Sequence, residues 1–201
     1  MRIPSSCSHG FSSRLKSKFE ASLYPISSEE EVTTLIASFK KEYPKADHYP
    51  YAFILGGKSK SSDDGEPSGT AGRAYLELLN GKEIDRALLI CARYFGGTKL
   101  GVGNLRREFV EAGKFAIESA KFLIPTRLYA YSLEVDYPHY ESLKRLAPNY
   151  GIEILNVSFG EQVSLTLSSR DKLYSSWEKM GMYPIALPEC QTIETLLEEK
   201  K

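Results

Sequence analysis

Two segments concentrate the residue types that bind anions. In Asp63-Asp64-Gly65-Glu66-Pro67-Ser68-Gly69-Thr70-Ala71-Gly72, glycines free the backbone, proline sets a turn, and Ser68 or Thr70 stands where a helix cap is needed. Unpaired amides at a helix start, among side chains small enough to let an oxyanion approach, would hold a phosphate. The second segment runs from Arg93 through Tyr94 and Phe95 into a loop with Gly96, Gly97, Gly101 and Gly103, and ends on Asn104 as a helix cap. It is not a Walker loop, because GxxxxGK[ST] is absent. Nor does an acidic residue end a strand about twenty residues on, as a dinucleotide fingerprint requires.

From Arg86 to Lys114 there are six basic residues (Arg86, Arg93, Lys99, Arg106, Arg107 and Lys114) against the acids Glu108 and Glu111. Cations interleaved with Tyr94 and Phe95 suit a polyanion, through phosphate contacts and base stacking. The candidate ligand-binding set is therefore Asp64, Glu66, Ser68, Gly69, Thr70 and Gly72 from the first segment, together with His48. Arg93, Tyr94, Lys99, Arg106 and Arg107 join it from the second, with the four loop glycines. The plainer alternative is a tight strand-to-helix turn, a core tyrosine and a solvated arginine face. Asp64 and Glu66, with His48 nearby in the chain, are also the only local set that could serve a hydrolase as acid and base. Asp63, Asp64 and Glu66 lie in one acidic loop, which more often means solvation than Mg²⁺. We expect no metal and no cofactor.

Positioning these segments requires alternating elements. Lys18 to Leu23 reads as a strand, and a helix capped by Ser27 or Ser28 follows, with Val32, Leu35, Ile36 and Phe39 at helical spacing and an end near Tyr43-Pro44. Tyr49 to Leu55 is a strand, the polar stretch after it a loop, and Thr70 to Leu79 a helix. The continuous apolar run Ala87 to Tyr94 is a buried strand, and Leu105, Phe109, Ala112 and Ala116 mark a third helix. The pattern then resets to strand 128–135, helix 138–149, strands 151–157 and 163–167, and helix 170–180. A last element at 192–196 reads as a strand or a short helix. That βαββαβ order is the ferredoxin-like arrangement. The expected domains are 1–125 and 126–201, and the fold class is α+β.

Composition bounds the rest. With 42% hydrophobic and 26% charged residues, the 201-residue chain can bury a substantial core. Its 26 basic and 26 acidic residues cancel, so no global field gathers nucleic acid. The part through Pro125 carries +3 and the remainder −3. Cys7, Cys91 and Cys190 form no CxxC pair, and His9, His48 and His139 lie far apart, so neither a disulfide framework nor a zinc site is legible. The N-terminal residues lack the apolar core of a signal peptide and no run is long enough to cross a bilayer, so a cytoplasmic location without membrane contact is expected. Oligomeric state is not legible.

DDGEPSGTAG followed by RYFGGTKLGVGNL resembles the signature of the Impact family, also called the YigZ family: DGEP-x-GTAG and then R-[YF]-[YF]-GG-x-x-LG-x-G. The family positions fall on Asp64 to Pro67, Gly69, Thr70 and Gly72, then on Arg93, Gly96, Gly97, Leu100, Gly101 and Gly103, with a histidine at His48. Arg106-Arg107-Glu108 departs from the small residues of many bacterial members. The resemblance covers about residues 10–201. It implies an N-terminal α/β sandwich like domain two of certain ribosomal proteins, and a C-terminal ferredoxin-like domain like domain five of elongation factor G. It also implies a link to translation. Eukaryotic relatives use the domain to bind a ribosome-associated activator of the amino-acid-starvation kinase, but they carry a further N-terminal RWD domain, so that partner is not carried over. The leading expectation is a non-enzymatic regulator that binds RNA or the ribosome through a glycine-rich, basic cleft. The alternatives are a protein-binding module and, behind it, the hydrolase.

Overall fold

The computed structural model describes residues 1–182 and 190–199. Its chain divides into two compact units, Met1–Ile124 with the stretch from Glu198, and Pro125–Leu197. The architecture is α+β in both.

The first unit opens with β1 (Ile3–Pro4) and β2 (Ser8–Arg14), followed by β3 (Ser17–Pro25) and α1 (Glu29–Glu42). Then come β4 (Tyr51–Leu55), β5 (Lys58–Ser62), α2 (Gly72–Gly81), β6 (Ala87–Tyr94) and α3 (Val102–Ser119). Five strands make an antiparallel sheet in the order β2-β3-β6-β4-β5. The run in β6 is continuously apolar because both of its faces are covered. Ala87, Leu89 and Cys91 join the cluster that includes Tyr75 of α2 and Phe109 of α3, while Leu88, Ile90 and Ala92 pack with Val32 and Phe39 of α1. Ser28 caps α1 by accepting from the Glu31 amide at 3.2 Å, and Glu31 Oε2 accepts in turn from the Ser27 amide at 2.7 Å.

Three strands fall where the sequence suggests none: the two-residue β1, and β2 and β5. β5 carries no apolar alternation because it is an exposed edge. It exists because Gly56 and Gly57, both at positive φ, turn the chain tightly enough to pair Lys58 with Leu55. The buried face of β2 is Ser8, Gly10 and Ser12, which hydropathy does not register. It is small because α3 lies close: a Cβ on Gly10 would meet the Ala116 amide nitrogen at 2.2 Å.

The second unit takes in β7 (Phe122–Val135) from Pro125 onward, α4 (Tyr137–Leu146) with a 3₁₀ turn at Ala147–Tyr150, β8 (Ile152–Phe159), β9 (Val163–Ser169), α5 (Tyr174–Lys179) and β10 (Gln191–Glu198) as far as Leu197. This is βαββαβ: β7, β9 and β8 are neighbours in that order, β10 pairs with β7, and β1 pairs with the first two residues of β7. Leu143 of α4 and Trp177 of α5 share one core with Tyr131, Leu133, Leu165 and Leu167 of the sheet. The final element is a strand. α5 is shorter than its periodicity suggests, and of the expected stretch to residue 201 positions 183–189 and 200–201 lie outside the described residues.

Candidate functional site

The DDGEPSGTAG segment folds around its first aspartate. The Asp63 carboxylate accepts from the amides of Gly69 at 2.8 Å, Ala71 at 3.0 Å and Gly72 at 2.9 Å. Burial works to raise its pKa, but the three amide bonds outweigh it and hold the carboxyl below its ordinary value. The amides expected to await a phosphate are thus occupied by the chain's own carboxylate. Neither expected hydroxyl caps α2. Thr70 is buried and its Oγ1 donates to the Pro67 carbonyl at 2.6 Å, Ser68 is exposed, and Ala71 holds the cap position without a side-chain bond. Gly72 is required by close approach, since a Cβ there would meet the Ser62 carbonyl oxygen at 2.5 Å.

Asp64 sits at φ +44°. Its carboxylate accepts from the Tyr49 amide at 2.7 Å, and its carbonyl oxygen lies 2.7 Å from His48 Nδ1. A carbonyl can only accept, so His48 Nδ1 carries the proton of this bond. Glu66 and Arg93, 6% and 8% exposed, form a buried ion pair in which Arg93 Nη1 donates to Oε1 at 2.6 Å and also to Oε2. Arg93 Nε has no acceptor among the described residues. Each motif contributes one of these charges, and they cancel.

In the second motif Gly96 lies under the β2–β3 turn. Its amide donates to Ser17 Oγ at 3.0 Å, and a Cβ would come within 2.3 Å of the Lys16 backbone. Gly97 and Gly101 adopt φ of +84° and +76°. Gly101, not Asn104, stands at the start of α3, and Asn104 Nδ2 donates back to the Leu100 carbonyl at 3.0 Å. Arg106 is committed to the Gly69 carbonyl at 2.8 Å and to Glu77 at 2.6 Å. Gly103 touches nothing with its open side, and Arg107 is exposed on the face of α3 away from buried Leu105 and Phe109. Tyr94 packs with the α1 cluster on the other side of the sheet, so the aromatic ring offered near the loop is Phe95, 47% exposed. The Phe95 amide is held by Asp47 Oδ2 at 2.7 Å.

The motifs share a cleft of about 490 Å³. Glu66 and Pro67 line it from the first, Arg93, Phe95, Lys99 and Leu100 from the second, with His48 and with Val102 and Leu105 of α3. Of the four loop glycines only Gly101 lines it; Asp64, Ser68, Gly69, Thr70, Gly72, Tyr94, Gly96, Gly97, Gly103, Arg106 and Arg107 are not among its lining residues. Sequence reasoning missed the apolar part. Val102 stands three residues before Leu105 and seven before Phe109, so extending the apolar period back by one turn finds it. Asp63 gave no such signal, because it reaches amides six to nine residues ahead.

The Impact N-terminal domain matches residues 15–117, and a domain of unknown function, DUF1949, matches 133–173. An Impact family member of Haemophilus influenzae is 31% identical over 162 residues, covering 78% of this chain and 79% of its own. The chain belongs to the Impact family. Bacillus subtilis YvyE, also an Impact family member, is 40% identical over 97 residues, 47% of this chain and 45% of the relative. A crystal structure described as a hypothetical protein is similar in fold at a TM-score of 0.60 and 24% identity, covering 96% of this chain and 95% of that one. The Impact signature positions thus divide here between residues that build the scaffold, as Gly72 and Gly96 do, and residues that line the cleft. Among the described residues no cluster of three or more His, Cys, Asp or Glu could share a metal ion, and no helix is long and apolar enough to cross a membrane.

Proposed function

We propose that this chain is a translation-linked regulator of the cytoplasm that works by docking a protein partner in the Impact cleft, without chemistry of its own. The link to translation is drawn from the family resemblance. The docking reading is carried by one observation: Arg93, Arg106 and the amides before α2, all expected to bind phosphate, are engaged internally, while the rim turns Phe95 and Val102, 47% and 61% exposed, to solvent. Arg93 is neutralised by Glu66, Arg106 is bound to Gly69 and Glu77, and Asp63 fills the amide slot of α2. Exposed apolar side chains around a concave site suit a protein anchor better than a phosphate chain.

The RNA or ribosome reading keeps support from exposed Lys99 on the cleft wall and exposed Arg107 outside it, which would grip phosphates. The hydrolase reading keeps only His48, since the Asp64 and Glu66 carboxylates are held by the Tyr49 amide and by Arg93. Co-sedimentation with ribosomes at low and high salt, with and without RNase, separates the first two. Association that survives RNase and changes little with salt is the expected result. Loss on RNase treatment, with affinity falling steeply in salt, would move the function to RNA.

A further inference from the structure

The geometry points to the chemistry of the docked partner: an extended acidic segment with one large apolar side chain, which seats beside Leu100 and Leu105 between Phe95 and Val102. This inference rests on the docking reading above. Five of the cleft-lining residues, Pro67, Phe95, Leu100, Val102 and Leu105, are apolar, and a cleft of about 490 Å³ accepts one or two residues, not a folded surface.

The sign of the partner's charge follows from which cleft charges are already answered. Glu66 is neutralised by Arg93, while Asp47, whose Oδ2 accepts from the Phe95 amide, keeps one negative charge against the two cations Lys99 and Lys16. Lys99 lines the cleft, is exposed, and forms no ion pair among the described residues. Lys16, also exposed and without an ion pair among those residues, adds a second cation from the turn seated over Gly96. Beyond Lys16 that turn presents Leu15, 57% exposed, and both residues sit at positive φ, 46° and 66°, where glycine or asparagine is the comfortable choice. A two-residue turn that keeps a leucine and a lysine in this strained conformation offers an apolar and a cationic side chain outward, the same pair that Val102 and Lys99 offer. An acidic segment meets both lysines, and its apolar residue covers the exposed rim.

The test uses the full-length protein and a synthetic hexapeptide library with Phe, Leu or Ala at the centre and Asp/Glu, Asn/Gln or Lys/Arg flanks, read by fluorescence anisotropy. Acid-flanked Phe and Leu peptides should bind, and an Ala centre should lose tenfold or more. Lys99→Glu, an exposed substitution checked for an unchanged melting curve, should weaken acid-flanked peptides about tenfold and shift preference toward Lys/Arg flanks. Equal binding of all flanks, a preference for basic flanks, or no binding of any peptide would overturn the inference. The docking reading fails separately, through RNase-sensitive ribosome association; if that association resists RNase while the peptides fail, only the acidic-segment chemistry is lost.

Discussion

Glu66 and Arg93, one from each motif, form a buried ion pair. Read along the chain they are an acid for catalysis and a cation for phosphate; folded, they neutralise each other beneath the cleft. Removing one partner of a buried pair leaves the other charge uncompensated, so Glu66→Ala should lower stability by about 3–5 kcal/mol in urea unfolding. Loss of binding on removing Arg93 would therefore report folding before it reported phosphate contact. Asp63 makes a pH-dependent contribution. Its carboxyl is held below its ordinary value in the folded state, so the stability it adds is full above the unfolded pKa of about 3.9 and is lost as pH falls through that value and the lower folded one. Asp63→Asn should destabilise by about 1–2 kcal/mol at neutral pH, as loss of a helix cap does, and the gap from the parent should close in acid urea titrations. The sequence identified both motifs. It did not reveal their wiring, because Asp63 to Gly72 and Glu66 to Arg93 are contacts across a folded turn and a sheet, which no local period encodes.

The β2–β3 hairpin and the β2–α3 contact are where elements depend on single backbone positions. Asn-Gly in place of Leu15-Lys16 should relieve the positive φ angles and raise stability by about 0.5–1 kcal/mol in thermal unfolding, while weakening any partner that uses the exposed leucine and lysine. Gly10→Ala should have the opposite effect on stability, lowering it by about 1–3 kcal/mol or more, because backbone atoms of α3 at 2.2 and 2.3 Å cannot yield as a side chain can. The legible elements are those with a period. The continuous run of β6 and the 3.6-residue stripes of α1 and α3 were read from apolar spacing, as was βαββαβ in the second half. β2 and β5 escaped because one is packed through serine and glycine and the other is an exposed edge, so neither carries the alternation by which strands are recognised.

For the whole molecule, charge and surface argue for a division of labour. The second unit turns Ser132, Glu134, Ser164 and Thr166 away from its helix-covered face, with no cation or aromatic ring among them, which is a poor stacking platform for RNA. The first unit holds the cleft, and its polar wiring leaves an apolar rim with one lysine. The most direct test is a photo-crosslinking residue at Val102 of the full-length protein, irradiated in growing cells and analysed by mass spectrometry of the adducts. Peptide-to-peptide adducts centred on acidic and apolar sequence are the expected result, and nucleotide adducts at that position would contradict protein docking in the cleft.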